Sequence, residues 1–184
     1  NAPYAVNVKN DGQGKLWIGS GEGIHLFDPQ TERFTKFHGK DLPGITGDFL
    51  FPFGNDSVAD IIHILNPGRG LYSFDLKTKS SQPVIFKDSA NNKTEIDFSK
   101  FLGYCGPFNY GFLFTAVSRE REVLYLLRTG SREAHQQLTL PAHTKNDFYV
   151  PYVPDLKMLF LKGKYGTGNI TYRFANNGWI RSPN

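Results

Sequence analysis

The sequence predicts an all-β chain made of about four antiparallel four-stranded units, and three observations predict it. Among its 184 residues are 16 Phe and 9 Tyr, and aromatic side chains suit the half-buried pleated surface of strands. With 19 Gly and 11 Pro the chain is punctuated throughout, and no window of ten or more residues carries apolar side chains at helical spacing. The third observation is an internal repeat. Gly21-Glu22-Gly23-Ile24-His25-Leu26-Phe27-Asp28-Pro29-Gln30-Thr31 aligns without a gap on Gly68-Arg69-Gly70-Leu71-Tyr72-Ser73-Phe74-Asp75-Leu76-Lys77-Thr78, an offset of 47 residues from position 21 to position 68.

Each part of the unit has a physical reading. The Gly-x-Gly pair supplies a tight connection where positive φ costs little. The strand after it is apolar on both faces at Ile24, Leu26 and Phe27, as in a sheet sandwiched between neighbouring sheets. Asp28-Pro29-Gln30-Thr31 and Asp75-Leu76-Lys77-Thr78 fit type I turns, with the leading carboxylate bonding the backbone. The chain then reverses into Arg33 to His38, and into Pro83 to Lys87. Upstream lie Lys15 to Ser20 and Ala59 to Leu65, and before those Tyr4 to Lys9 and Asp48 to Phe53, each followed by a polar turn, Asn10-Asp11-Gly12 and Gly54-Asn55-Asp56. Four short strands per period of this length are the signature of propeller blades.

A third Gly-x-Gly, Gly166-Thr167-Gly168, precedes Ile170 to Phe174, and Asn176-Asn177-Gly178 turns the chain into Trp179-Ile180-Arg181. The unit between supplies Tyr110 to Ser118, Glu122 to Arg128 and Gln136 to Leu140, with Ser89 to Pro107 read as an insertion. The expectation is a single propeller-type domain or fragment, with blades at 3–42, 43–90, 91–141 and 142–184, forming part of a larger ring. Asn1-Ala2 reads as the remnant of an expression tag.

The 21 basic and 17 acidic residues give a net charge of +4 and are interspersed, as in Arg119-Glu120-Arg121-Glu122, which reads as solvated surface. Nucleic-acid binding would need basic residues gathered on one face, so no nucleic-acid partner is expected. A single cysteine, Cys105, excludes an intramolecular disulfide. No apolar run approaches the length that spans a bilayer, so a membrane span is expected only in a longer natural protein.

Leu16-Trp17-Ile18-Gly19-Ser20-Gly21-Glu22-Gly23-Ile24, with Phe27-Asp28-Pro29 and Phe34, resembles the two-component regulator propeller repeat. The second copy keeps Gly70-Leu71 and Phe74-Asp75 and has Ile62-His63-Ile64 where the first has Trp-Ile-Gly. The resemblance covers about the first half of the chain. It implies a periplasmic or extracellular sensory segment of a hybrid histidine kinase, with the kinase elsewhere and no enzyme activity or cofactor of its own. The motif residues Leu16, Trp17, Ile18, Gly19, Gly21, Gly23, Phe27, Asp28, Gly68, Gly70, Phe74 and Asp75 are then structural: Trp17 fills space between blades and Asp28 closes a turn.

Other constellations read as parts of the fold. Gly19-Ser20-Gly21-Glu22-Gly23 has Ile24 where a dinucleotide fingerprint wants glycine, and a strand follows it. Ser20 is outside a nucleophile elbow, since Ile18 stands at the first glycine position. His25, His38, His63, His135 and His143 show no metal spacing, and no metal is expected. Cys105 sits in a loop-like Gly103-Tyr104-Cys105-Gly106-Pro107 setting with no histidine nearby to activate it. Asn55, Asn92 and Asn169 head Asn-x-Ser/Thr triplets, which mark surface loops in a secreted eukaryotic protein. Asp147 and Asp155 have no spacing that pairs them as acid and base.

The function these observations favour is a non-catalytic sensory or ligand-binding propeller segment. Its expected partners are a small molecule or oligosaccharide and a second copy of the chain, because an open arc of blades would leave apolar faces in water. The alternatives are a scaffold for other proteins, or a fragment of a propeller-type polysaccharide lyase or glycosidase.

Overall fold

The computed structural model describes residues 5–11, 13–47, 50–56, 60–100, 102–108, 111–141, 152–153, 155–162 and 169–182. Their regular structure is strand, apart from one 3-10 turn at Gly39–Asp41. The chain divides into two compact units, Asn1–Val84 and Ile85–Asn184. The first unit holds two four-stranded sheets, β1(Ala5–Asn10), β2(Leu16–Ser20), β3(Gly23–Asp28), β4(Arg33–Phe37) and β5(Phe51–Asp56), β6(Ile61–Asn66), β7(Gly70–Asp75), β8(Ser80–Pro83), each in sequential order. In the second unit, β9(Ile85–Lys87) joins the far edge of a sheet made by β10(Gly103–Pro107), β11(Gly111–Ser118), β12(Arg121–Arg128) and β13(Glu133–Thr139). The last sheet runs β14(Tyr152–Val153), β15(Met158–Lys162), β16(Asn169–Ala175), β17(Gly178–Arg181). All pairings are antiparallel except β13 with β9.

The repeat extends to the backbone. In β1 the register with β2 shifts between Ala5 and Asn7, and in β5 the register with β6 shifts between Pro52 and Gly54. The extra residues are therefore Val6 and Phe53, equivalent positions of the repeat, and β10 carries the same irregularity at Cys105. A bulge of this kind bends the strand and raises its twist. The loops that close β3 to β4 and β7 to β8 both end on a left-handed residue, Glu32 at φ 55° and Lys79 at φ 56°. Asp28 Oδ1 accepts the Gln30 amide at 3.0 Å, and Asp75 Oδ1 accepts the amides of Lys77 and Thr78 at 2.8 and 2.9 Å.

Burial is two-sided in β6 and β12, whereas in the first sheet Ile24 is buried and Phe27, on the other face of β3, is only half-buried. In the first unit Trp17, Ile24, Leu50, Ile62, Ile64 and Phe74 form one core, closed by Leu42 and Ile45 from the connection between the sheets. In the second, Cys105, Phe108, Leu113, Leu124, Leu126, Leu140, Leu159 and Tyr172 form another between its two sheets. β12 also presents Tyr125, whose ring lies 5.1 Å from Phe86 and 5.9 Å from Phe114, so both faces of this strand are buried.

Several elements differ from the sequence reading. Gly103–Pro107 is the first strand of the third sheet and not part of an insertion, and Cys105 within it is buried strand and not loop. First strands lie at a sheet edge, where a proline's missing N–H costs no ladder bond, so Pro107 is tolerated there and conceals the strand from a composition reading. Gly54-Asn55-Asp56 continues β5 instead of turning, and Asn169 likewise opens β16. The stretch read as one strand from Pro83 to Lys87 is divided: Pro83 ends β8, and Ile85–Lys87 runs parallel to β13. The third Gly-x-Gly at 166–168, together with His143 and Asp147, lies outside the described residues.

Candidate functional site

The motif residues of the first repeat occupy structural positions. Trp17 is 2% exposed and its ring lies 5.7 Å from that of Phe37. Leu16 and Ile18 alternate with it and are half-buried, Leu16 pairing across the sheet with Phe27. A Cβ at Gly19 would stand 2.7 Å from Cδ of Pro52 and 3.0 Å from the Leu50 carbonyl, so glycine permits the close approach of β5. At Gly23 φ is +123° and a Cβ would meet the Phe37 carbonyl oxygen at 2.4 Å. Gly21 is exposed in the loop before it. In the second copy the positive φ moves to Gly68, third residue of a turn closed by the Arg69 amide on the Asn66 carbonyl. Gly70 opens β7, and Phe74 is 1% exposed.

The two Ser-His neighbours are also parts of the fold. Ser20 Oγ lies 3.1 Å from His25 Nε2, yet its proton goes to the Gly23 carbonyl at 3.2 Å and the Glu22 amide donates to it. Burial holds the His25 imidazole below its usual range, and the Lys36 ammonium adds to this. The hydroxyl is thus an anchor for the turn and has no free proton to give a base. Ser73 Oγ and His63 Nδ1, at 3.1 Å, are both buried between β6 and β7. His38 precedes the 3-10 turn and His135 sits 3.6 Å from Glu133. Asn92 is exposed in a turn built on Asp88, and Asp155 is exposed beside β15. Among the described residues no three His, Cys, Asp or Glu side chains gather as a metal site would need.

A different place concentrates polar side chains. In each antiparallel sheet the turn from second to third strand and the exit from the fourth strand leave at the same end. In the third sheet that end is covered by the connection 88–102, and between them lies an open groove of about 1210 Å³. The connection is held by local bonds: Asp88 Oδ1 accepts the amides of Ala90 and Asn92, the Thr94 amide bonds the Phe86 carbonyl, and the Asp97 amide bonds the Val117 carbonyl. The Ser118 hydroxyl donates to the Glu95 carbonyl at 2.9 Å, which leaves Thr94 as donor in their 3.0 Å contact.

Lys93, Glu95, Asp97 and Lys100 line the groove from the connection, and Arg119, Glu120, Arg121 and Glu122 line it from the hairpin. Ile96, Val117, Leu140 and Pro141 complete its apolar part. Ser118 pairs with Arg121, so Arg119-Glu120 is a two-residue hairpin loop, and both residues are left-handed, φ 49° and 63°. That is type I′ geometry, which ordinarily takes Asn or Gly. Burial raises the Glu122 carboxyl above its usual range, opposed by a bond from the Thr115 hydroxyl. The Ser99 hydroxyl and amide hold Asp97 below its own. In sequence Arg119 to Glu122 reads as solvated surface, because alternating charges carry no record of what faces them.

Among the described residues no helix is long and apolar enough to cross a membrane. No family model and no curated protein matches the sequence. Solved structures match its fold. The WD40 domain of a coronin from Toxoplasma gondii is 12% identical, with 96% of this chain and 44% of that one covered at a TM-score of 0.54. The extracellular domain of the one-component system BT4673 from B. thetaiotaomicron is 16% identical, with 96% of this chain and 24% of that one covered at 0.53. That of the hybrid two-component system BT3049 from the same organism is 14% identical, with 98% and 30% covered at 0.48. The chain spans about a quarter to under half of the length of these structures. At such identities the likeness is one of fold, and the sheets of this chain are β-propeller blades.

Proposed function

We propose that the chain is a non-catalytic sensory segment of a β-propeller, carried in the periplasm or outside the cell by a signalling protein of the two-component type. The observation that carries this reading is the first repeat: Leu16 to Ile24 with Phe27-Asp28-Pro29 resembles the two-component regulator propeller repeat, and it lies in a four-stranded antiparallel sheet. The fold likeness to an extracellular domain of a one-component system supports the same reading. Recognition falls to the loops at one end of the blades, since the Ser-His pairs are spent on turns and strand pairing. Fusing alkaline phosphatase, which folds only outside the cytoplasm, to the natural gene after this segment tests it. An active fusion is expected, together with loss of the protein's signalling output when the segment is deleted. An inactive fusion beside an active β-galactosidase fusion overturns the reading.

A second reading, an interaction surface for a protein or a second copy of the chain, is favoured by β4. Four of its five residues are exposed and Phe34, at 63%, shows its ring to solvent over Phe27 at 4.5 Å. Light scattering coupled to gel filtration reads self-association directly: a dimer supports it, and a monomer at tens of micromolar removes the second copy as partner.

A further inference from the structure

The groove over the third sheet has a composition that selects among ligands. Its charged side chains are four cations and four carboxylates, and among the described residues none of the eight forms an ion pair with another. Such a lining has no net charge to draw in a polyanion or polycation, and it offers separated charges of both signs. Among the described residues that line it, none is aromatic. A sugar ring shows an apolar C–H face that packs best on an aromatic ring, so a neutral oligosaccharide would find hydroxyl partners here and no platform. The volume exceeds what a single amino acid or monosaccharide fills, the usual range for small-molecule pockets reaching about 1,000 Å³.

The hairpin tip adds an independent observation. A left-handed residue other than Gly, Asn or Asp costs about 1–2 kcal/mol, and Arg119 and Glu120 are both left-handed. The fold does not require these residues there. The same chain closes β16 to β17 with a two-residue loop of the same handedness, Asn176-Asn177 at φ 52° and 60°, using a residue that tolerates it. Left-handed charged residues also end ordinary loops of this chain, Glu32 at φ 55° and Lys79 at φ 56°, so the angle alone marks no site; what the tip contributes is two opposite charges on one tight hairpin that lines the groove. Glu122 adds a carboxylate kept half-buried directly before the apolar run Val123–Leu127.

We infer that this groove binds short peptides of mixed charge, their cationic groups meeting Glu120 and Glu122 and their carboxylates meeting Arg119 and Lys93. The inference rests on the sensory reading for its biological sense and supplies the ligand class and site that reading lacks. It makes the protein a detector of peptides and not of neutral glycans.

The test is amide-resolved NMR titration of the full chain with the unblocked tripeptide Lys-Gly-Glu at millimolar concentration, beside maltotriose. The expected result is that the tripeptide shifts the amides of 93–100 and 119–122, more weakly as salt rises, while maltotriose leaves them in place. The double variant Arg119→Asn, Glu120→Gly keeps the hairpin and removes both charges, and it should weaken tripeptide binding about tenfold or more. Absence of shifts in these segments overturns the inference, and so does an unchanged affinity in the double variant. Maltotriose shifting the same amides overturns it too, while leaving the sensory reading intact. An inactive phosphatase fusion with tripeptide binding retained would remove the sensory reading and leave this site standing.

Discussion

Replacing Arg119 by Asn and Glu120 by Gly should stabilise the second unit, and the size of the gain follows from backbone angles alone. Each native residue carries about 1–2 kcal/mol of left-handed strain, at φ 49° and 63°. Glycine at 120 removes that strain and returns about 0.5–1 kcal/mol as unfolded-chain entropy, and asparagine at 119 recovers part of its own. The net is about 1 kcal/mol, or roughly 4 °C in melting temperature for a unit of this size. The chain contains its own control. Asn176-Asn177 closes an equivalent two-residue loop, so Asn176→Arg with Asn177→Glu should lower the melting temperature by a similar amount. Differential scanning calorimetry of both double variants reads this. A tip variant that melts at or below the parent, or a reversed loop that melts unchanged, would show that the tip is not strained and would sink the argument.

Three further outcomes are expected. Trp17→Ala should cost about 3–5 kcal/mol in urea denaturation, the usual loss for a truncated core aromatic, since the ring is 2% exposed; a loss under about 1 kcal/mol would place it outside the core. Gly23→Ala should destabilise markedly because its φ is +123° and a Cβ would stand 2.4 Å from the Phe37 carbonyl, whereas Gly21→Ala, with nothing within 4 Å, should be near neutral; equal melting temperatures for the two would refute this. Glu122→Gln should stabilise at pH 7 and not near pH 4. Its folded pKa is raised by burial, so the native state favours the protonated form, and the stability this brings is present below the unfolded value near 4.3 and lost as pH rises through the folded value. Matched melts of parent and variant across that range measure it, and a constant difference would contradict it.

Much of the fold was legible because the repeat is written in residues that serve the backbone. Asp28 and Asp75 close equivalent loops by the same carboxylate bond, and Glu32 and Lys79 take the same left-handed angle after them. The first strand of the third sheet was not legible. Gly103-Tyr104-Cys105-Gly106-Pro107 carries turn residues, and only its place at a sheet edge, with a bulge at Cys105, makes them admissible in a strand. The residues of β9 read as strand, within Pro83 to Lys87, but their pairing was hidden for another reason. Three residues that pair in parallel with a strand far along the chain leave no local pattern.

The candidate groove shows what a pattern of charges does and does not disclose. Arg119-Glu120-Arg121-Glu122 reads as solvent-facing because both signs alternate, and no property of those four residues separates a solvated rim from the wall of a site. The available signal was a conflict between levels. Two long apolar strands meeting over Arg119-Glu120 demand a tight hairpin, and a tight hairpin demands residues other than these. Glu122, placed before Val123 to Leu127, is a second conflict of the same kind. Both lie at one end of one sheet, facing one groove. A structural role for either would make its removal costly, whereas a binding role makes the more stable variant the less functional one. Glu122→Gln is therefore expected to melt higher at pH 7 and to bind Lys-Gly-Glu more weakly, and a variant that gained stability with unaltered binding would count Glu122 out of the site.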